Sequence, residues 1–376
     1  ISESGIEASG IGITCANING GAISGRRNKI INGDFNIHQR GGTITASGAL
    51  YTLDRWRSYI TGDSSGGYTV EQSTSSYPQT NISGVKDNFK ASVLITVTSA
   101  GSAAANNNVK FQQRIEGRDV YDLALGTSAA KSFTVSFYVK SSLTGTFGAS
   151  LVNSGHNRSN IQTYTVNSAN TWEYKTFTVA GDTSGSWNLD TGTGLQLMFD
   201  LGSGSSKLSD STNQWLSGEY HGTTSSVKLT HTNGATLQFA GVQLEAGTQA
   251  TAFEHRSYTE EIRLCYRYYY KLYAGTSGFW GSGVWYNSTS FICFIAFPVV
   301  MRNAVTAVEQ SGTASHYKVI GNATTYTCNG VPTYGGDAND SSQTVGFSVS
   351  SGPSQGQSGI ARSGNSSAYL AWSAEL

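Results

Sequence analysis

The chain has 376 residues, enough for two ordinary domains that each bury a core. Its 24 basic and 24 acidic residues cancel, and only 13% of the chain is charged, which excludes the basic stripe of a nucleic-acid binder. No apolar run is long enough to span a bilayer, the nearest being the strand-sized 291–301, and no basic segment leads into an apolar core as in a secretory signal.

With 45 glycines and 20 tyrosines among abundant Ser, Thr and Asn, the chain has the composition of a β-rich protein with many turns. Residues 1–27 are Gly- and Ser-rich, with short apolar alternation at Ile11, Ile13, Ala16 and Ile18, and form no core of their own. From 28 to 256 strand and turn signals alternate. Strands are expected at 29–35, 56–61, 68–72, 90–97, 109–115 and 132–140, then at 147–152, 173–179, 195–201, 226–229 and 236–244. In Phe133, Val135, Phe137 and Val139 the odd positions are apolar between mostly polar even ones, the mark of a half-buried strand. Strands of this length and spacing indicate a jelly-roll β-sandwich, with one helical turn at 115–126. Such a sandwich resembles carbohydrate-binding modules in fold, and fold alone does not give function.

At 257–274 the period changes. Ile262, Cys265, Tyr266, Tyr269 and Tyr273 recur at spacings of three and four, which predicts a connecting α-helix. Ser257 three residues before Glu260 reads as a capping box, and Gly275 as the stop. Tyrosines 266, 268, 269 and 270 would surround that helix on more than one face, which predicts contact with other subunits. A second β-sandwich or β-barrel-like domain follows at 275–376, with strands at 290–297, 305–309, 316–320, 324–328, 344–349 and 368–374. Between them, 329–342 and 350–367 read as long polar loops.

Three islands resemble a family of bacteriophage tail-fibre and related virion proteins. The largest is Val242-Gln243-Leu244-Glu245-Ala246-Gly247, then 250–256 (ATAFEHR), Glu260-Glu261 and Cys265-Tyr266-Arg267-Tyr268-Tyr269. The second is 28–42 (NKIINGDFNIHQRGG) with Asp54-Arg55-Trp56, and the third is 297–302 (FPVVMR). The resemblance implies a virion structural protein assembled in the host cytoplasm, a homotrimer displaying a distal domain to a host-surface glycan. On that reading 1–27 is a shaft or anchor segment that joins other virion proteins, rather than a flexible linker, because Ile11-Gly12-Ile13-Thr14 favours strand pairing between chains. Ile1 is not an initiating methionine, which fits a processed or truncated chain.

There is no G-x-S-x-G at a strand-to-helix elbow, the strings at 62–66 and 352–356 lying in turn-rich stretches, and no P-loop or G-x-G-x-x-G opening a helix. Cys15, Cys265, Cys293 and Cys328 lack C-x-x-C spacing, so no zinc site is expected, and Cys265 and Cys293 read as buried thiols. Asp182 with Asp190, and Asp337 with Asp340, read as turn residues before calcium ligands. Neither metal nor cofactor is expected. Glu254-His255-Arg256 reads as a salt-bridged junction rather than a catalytic cluster. A ligand site is expected on the distal domain, where aromatic rings can stack on sugar faces beside polar loops: Trp280, Trp285 and Tyr286, with Tyr334, Asp337 and Asn339. The leading expectation is a non-enzymatic tail fibre that recognises a host glycan, with no partner in nucleic acid and no membrane insertion. The alternatives are a tailspike-like glycan depolymerase and a ligand-free head-decoration or fibre-adaptor protein.

Overall fold

The computed structural model describes residues 26–62 and 66–376. The shaft or anchor expected at the N-terminus, and Cys15 with it, lie outside the described residues apart from Arg26 and Arg27.

The chain is mainly β, as its patterning indicates. In the larger unit the first strands are β1 (Ile44–Thr45), β2 (Gly48–Leu53), β3 (Trp56–Ile60), β4 (Gly67–Ser73), β5 (Ser92–Ser99) and β6 (Val109–Glu116). A single helical turn, α1 (Gly117–Val120), precedes β7 (Phe133–Ser141), β8 (Gly145–Asn153), β9 (Arg158–Val166) and β10 (Glu173–Val179). The unit closes with β11 (Thr193–Asp200), β12 (Trp215–Ser217) and β13 (Thr236–Ala246). They form two antiparallel sheets, β1-β4-β5-β13-β7-β10 and β12-β9-β8-β11-β6-β3-β2, packed as a jelly roll. Phe137 stands at the centre of the core, with Tyr164, Phe177, Phe199 and Phe239 edge-on around it at 5.1 to 6.2 Å.

Alternation explains which residues face that core, but β7 is buried on both sides. Its outer face is covered by two irregular segments, 77–91 and 248–256, whose Tyr77, Ile82, Val85, Phe89 and Phe253 pack over Tyr138 and Trp172. Gly241 makes this cover possible. It sits at φ +58° at a break in the β13–β7 register, and a Cβ there would meet the Phe89 ring at 2.4 Å.

Helix α2 (Tyr258–Tyr266) is shorter than the helix expected over 257–274. Tyr269–Tyr273 is instead a strand, β14, paired with the last strand of the chain. Tyrosine favours pleated sheet as readily as it continues a helix, and here a partner strand is at hand. The tyrosines therefore do not encircle a helix, and that argument for subunit contact falls. Beyond them lie β15 (Phe279–Asn287), β16 (Ser290–Ala296), β17 (Glu309–Gln310), β18 (Tyr317–Gly321) and β19 (Thr324–Thr327). Then come β20 (Thr333–Ala338), β21 (Ser342–Ser348), β22 (Ser358–Ser363) and β23 (Tyr369–Ser373). Seven of them form the sheet β19-β18-β22-β15-β16-β21-β20, and the small sheet β14-β23-β17 packs Leu370 and Trp372 on its inner face. The polar stretches expected to be long loops thus contribute β20 and β22 to this sheet. Residues 29–35 and 226–229 form no strand, and the strand expected at 305–309 shrinks to β17.

The family-like islands meet where the two units join. Asn28 accepts the N–H groups of Ile30 and Leu244 at 3.0 and 3.1 Å, and Glu254 accepts that of Asn28 at 3.0 Å. Arg256 donates to the Asn28 and Ile30 carbonyls and pairs with Glu254 at 3.6 Å and Glu261 at 3.3 Å. Gln39, held by Asp54 at 2.7 Å, continues the sheet with its side chain, donating to the Tyr269 carbonyl and accepting from Lys271 N–H. Arg55 is buried in an ion pair with Glu375, its guanidinium 3.5 Å above the Tyr268 ring. Glu116 takes Arg267 at 2.7 Å and the Tyr268 hydroxyl at 2.8 Å, while Arg302 bonds the Ala374 and Glu375 carbonyls. These motifs hold the joint.

Candidate functional site

The six residues expected to bind a sugar do not share a surface. Trp285 is fully buried and Trp280 is 6% exposed, both on the inner face of the seven-stranded sheet, so neither ring offers a face to a ligand. The glycines around Trp285 are the reason: a Cβ at Gly321 or Gly352 would come within 2.5 Å of the indole, so backbone seals it from above. Tyr286, on β15, is exposed, while Tyr334, Asp337 and Asn339 lie on and beside the edge strand β20. The Tyr334 hydroxyl donates to the Gly336 carbonyl at 2.7 Å, and the Asn339 side-chain oxygen accepts the N–H groups of Ser341 and Ser342 in a turn.

A groove of about 620 Å³ lies on the jelly roll instead, on the outer face of β7 and β10. Strand register sets its floor: Tyr174 pairs with Tyr138, Thr176 with Ser136 and Thr178 with Thr134. The Tyr138 and Tyr174 rings are 5.0 Å apart and tilted by 54°. One wall is Lys86 and Asp87, and the other is 248–252. Both walls are fixed. Tyr138 is buried, donates its hydroxyl to Asp87 at 3.1 Å and accepts the Lys86 N–H at 3.0 Å. Across the groove, buried Glu245 accepts the N–H and hydroxyl of Thr251 at 2.8 and 2.7 Å, and Gln243 accepts the Glu254 N–H at 2.8 Å. Tyr174 is half-buried and Thr176, Gln249 and Lys86 are exposed, so an aromatic face stands open among hydroxyl, amide and ammonium groups. The signal was present in the sequence. Tyr138 and Tyr174 occupy the strand parity opposite to Phe137 and Phe177, which places an aromatic on the outer face.

Two other polar clusters are closed. On the second sheet, Ser203, His221 and Glu219 line up at 2.9 and 3.2 Å in the order of a nucleophile, a base and its orienter. The Ser203 hydroxyl is spent between the Val109 N–H and carbonyl, and His221 is fully buried, so no substrate can reach them. Burial pushes His221 down to about 4, with the Lys110 charge acting in the same direction. Burial would raise the Glu219 carboxyl, but hydrogen bonds from His156 and His221 and the charge of Lys110 hold it well below the usual carboxylate range. Asp182 is taken by Arg158 through two bonds of 2.7 Å. Among the described residues no group of three or more His, Cys, Asp or Glu could hold a metal, and Cys265, Cys293 and Cys328 are free and buried.

No protein-family model matches the chain, and no curated protein matches its sequence. Among solved structures it is similar to the enzymatically active domain of tailspike protein 4 from bacteriophage CBA120, at 11% identity and TM-score 0.30 over 58% of this chain and 21% of that one. It is also similar to the family 11 carbohydrate-binding module of Clostridium thermocellum in complex with a β-1,3-1,4-mixed-linked tetrasaccharide, at 12% identity and TM-score 0.26 over 56% and 98%. The N-terminal cellulose-binding domain of Cellulomonas fimi β-1,4-glucanase C matches at 13% and TM-score 0.25 over 45% and 87%. The chain spans about a fifth of the tailspike domain. At TM-scores of this size, none of these likenesses says what the chain binds.

Proposed function

We propose that the chain is a virion appendage protein of the tail-fibre kind, a homotrimer that holds a host-surface glycan without cutting it, and that the groove along Tyr174 receives the sugar. The observation that carries the proposal is the open Tyr174 ring at the floor of a groove whose walls are fixed by Tyr138, Glu245 and Gln243. A pyranose stacks its C–H face on such a ring while Thr176, Gln249 and Lys86 reach its hydroxyls. The virion setting is supported by the resemblance of the joint-forming islands, and residues 1–27 would attach to other virion proteins. Binding is favoured over depolymerisation because Asp87 is the one carboxylate among the groove's lining residues, and it is engaged by Tyr138. Glycoside hydrolysis needs two, roughly 5 to 10 Å apart.

The test is binding of the full chain to a panel of bacterial surface polysaccharides, with Tyr174→Ala and Gln249→Ala beside the parent. Loss of about tenfold or more in affinity, with the fold unchanged by circular dichroism, is expected. Unchanged binding by the double variant would place the ligand elsewhere. Absence of any polysaccharide binding by the parent would favour the ligand-free adaptor, and release of reducing ends would favour the depolymerase.

A further inference from the structure

The seven-stranded sheet of the C-terminal unit turns Trp285, Phe291 and Phe347 to the core, yet its other face carries exposed apolar side chains too. Register sets Ile320 against Ile360 and Val284 against Ile292, and Phe294 lies one place further on the same side of β16. With Phe279 at the far end of β15, these form a stripe across the sheet. Phe279 is 61% exposed, Phe294 58%, Val284 42% and Ile360 39%. An antiparallel sheet facing water on one side alternates apolar with polar, as β21 does here, but the central strands β18, β22, β15 and β16 place apolar side chains on the open face as well. In the jelly roll the outer face of β7 is roofed by 77–91 and 248–256. Among the described residues no segment covers this stripe.

The charges indicate what does. The seven strands carry three charged residues: Lys318 and Arg362, paired side by side on β18 and β22, and Asp337 on the opposite edge strand, β20. The described ion pairs include none of them. We propose that this face is the contact between copies of the chain, arranged head to tail about an axis so that the Lys318–Arg362 side of one copy, one strand in from the edge, meets the Asp337 edge of the next. A face with one sign of charge at each side of an apolar stripe is complementary to a rotated copy of itself, and a closing rotation makes a ring rather than a filament. The size is adequate. Seven strands about 4.8 Å apart and about 20 Å long present roughly 650 Å², near the roughly 800 Å² per partner of a stable interface. The β-branched surface of Val284, Ile292, Ile320 and Ile360 suits another sheet better than a sugar, which needs polar groups between the rings. The inference rests on the multimeric part of the reading above and is independent of the groove.

Sedimentation of the full chain at low micromolar concentration should give the mass of three copies. Phe294→Asp with Ile360→Asp changes two exposed side chains, so the fold should persist by circular dichroism while self-association weakens about a hundredfold or more. Asp337→Lys should weaken it through edge repulsion, and Lys318→Glu with Arg362→Glu should restore it. A monomeric parent, an assembly untouched by Phe294→Asp with Ile360→Asp, or a charge exchange that restores nothing would each overturn the proposal. Polysaccharide binding by the separated chains reads the groove alone, so failure of one proposal leaves the other's test intact.

Discussion

In the jelly roll, Tyr138 and Tyr174 stand on the outer face of their strands, beside a groove. In the C-terminal sheet, Trp280 and Trp285 stand on the inner face, the latter sealed under glycine backbone. Composition makes these regions look alike, with aromatics set among small and polar residues. Parity separates Tyr174 from Phe177 and Val284 from Trp285, because one step along a strand moves a side chain from core to surface. The register break between Phe279 and Gly281 turns Trp280 inward as well. The tryptophan-rich strand is thus the framework of its domain, and Tyr174 is the accessible ring of the other.

The sharpest way to break this comparison is to remove one ring from each side. Trp285→Ala should cost about 3–5 kcal/mol, because the indole is fully enclosed and its space cannot collapse against Gly321 and Gly352. Tyr174→Ala should cost less than about 1 kcal/mol, since the ring is half-buried, but should lose polysaccharide binding. Chemical denaturation and binding measured on the same two variants check both halves. A stable Trp285→Ala that loses binding would reverse the assignment.

Nearly as large an effect is expected at the joint. Arg55 and Glu375 are 1% and 4% exposed at their side chains, and removing Glu375 leaves the Arg55 guanidinium buried without its ion-pair partner. Glu375→Ala should therefore cost about 3–5 kcal/mol. Because Glu375 links the last residues of the second unit to the loop before β3, the variant should also split one cooperative unfolding transition into two. Differential scanning calorimetry reads both the shift and the split.

Much of this was legible in the sequence where the period is clean. The expected strand at 173–179 has the bounds of β10, and the alternation of Phe133, Val135, Phe137 and Val139 names the core-facing residues of β7. Strand β9 was not legible because Ser159, Asn160 and Gln162 are polar yet buried beneath neighbouring segments. Strand β15 was hidden by Gly281 and Gly283, which serve the close approach of β16 rather than a loop. Helix α2 shows the same limit: its start is marked by Ser257, but its end depends on β23, a pairing about a hundred residues away. The groove needed one thing more, namely which segments roof the outer face of β7. Long-range packing decides that, and no local pattern records it.

The two sheets of the jelly roll also differ in how they respond to acid. The β7–β10 groove has no histidine in its lining, whereas the second sheet buries His221 against Lys110, Glu219, Asp200 and Ser203. Its folded pKa of about 4 lies below the ordinary 6.5, so the fold holds the neutral ring. The stability it contributes is complete above about pH 6.5 and is lost as pH falls toward 4, by on the order of 3 kcal/mol. Glu219, held low by hydrogen bonds from His156 and His221 and by the Lys110 charge, extends the loss in the same sense below its ordinary range. Thermal unfolding followed from pH 7 to 4 should show this slope, and His221→Gln should flatten it. An unchanged slope in that variant would place the acid sensitivity outside this cluster.

The smallest expected effect tests how the chain passes from one region to the other. Ser257 is the N-cap of α2: its hydroxyl accepts the Glu260 N–H at 3.3 Å, while Glu260 and Glu261 sit at the positive end of the helix. The reciprocal half of a capping box is not made among the described hydrogen bonds. Glu260 pairs with Arg26 instead, a partner whose side chain is 59% exposed, and a pair that open to water adds little. Ser257→Ala should therefore cost about 1 kcal/mol, and Glu260→Ala only a few tenths. The order of the two is the informative result. If Glu260→Ala proved the more damaging, the contact with Arg26 would matter more than the cap, and the residues entering the jelly roll would be fastened by α2 as well as by Glu254 and Arg256. Equilibrium unfolding of the two single variants and the double variant measures both terms and their coupling.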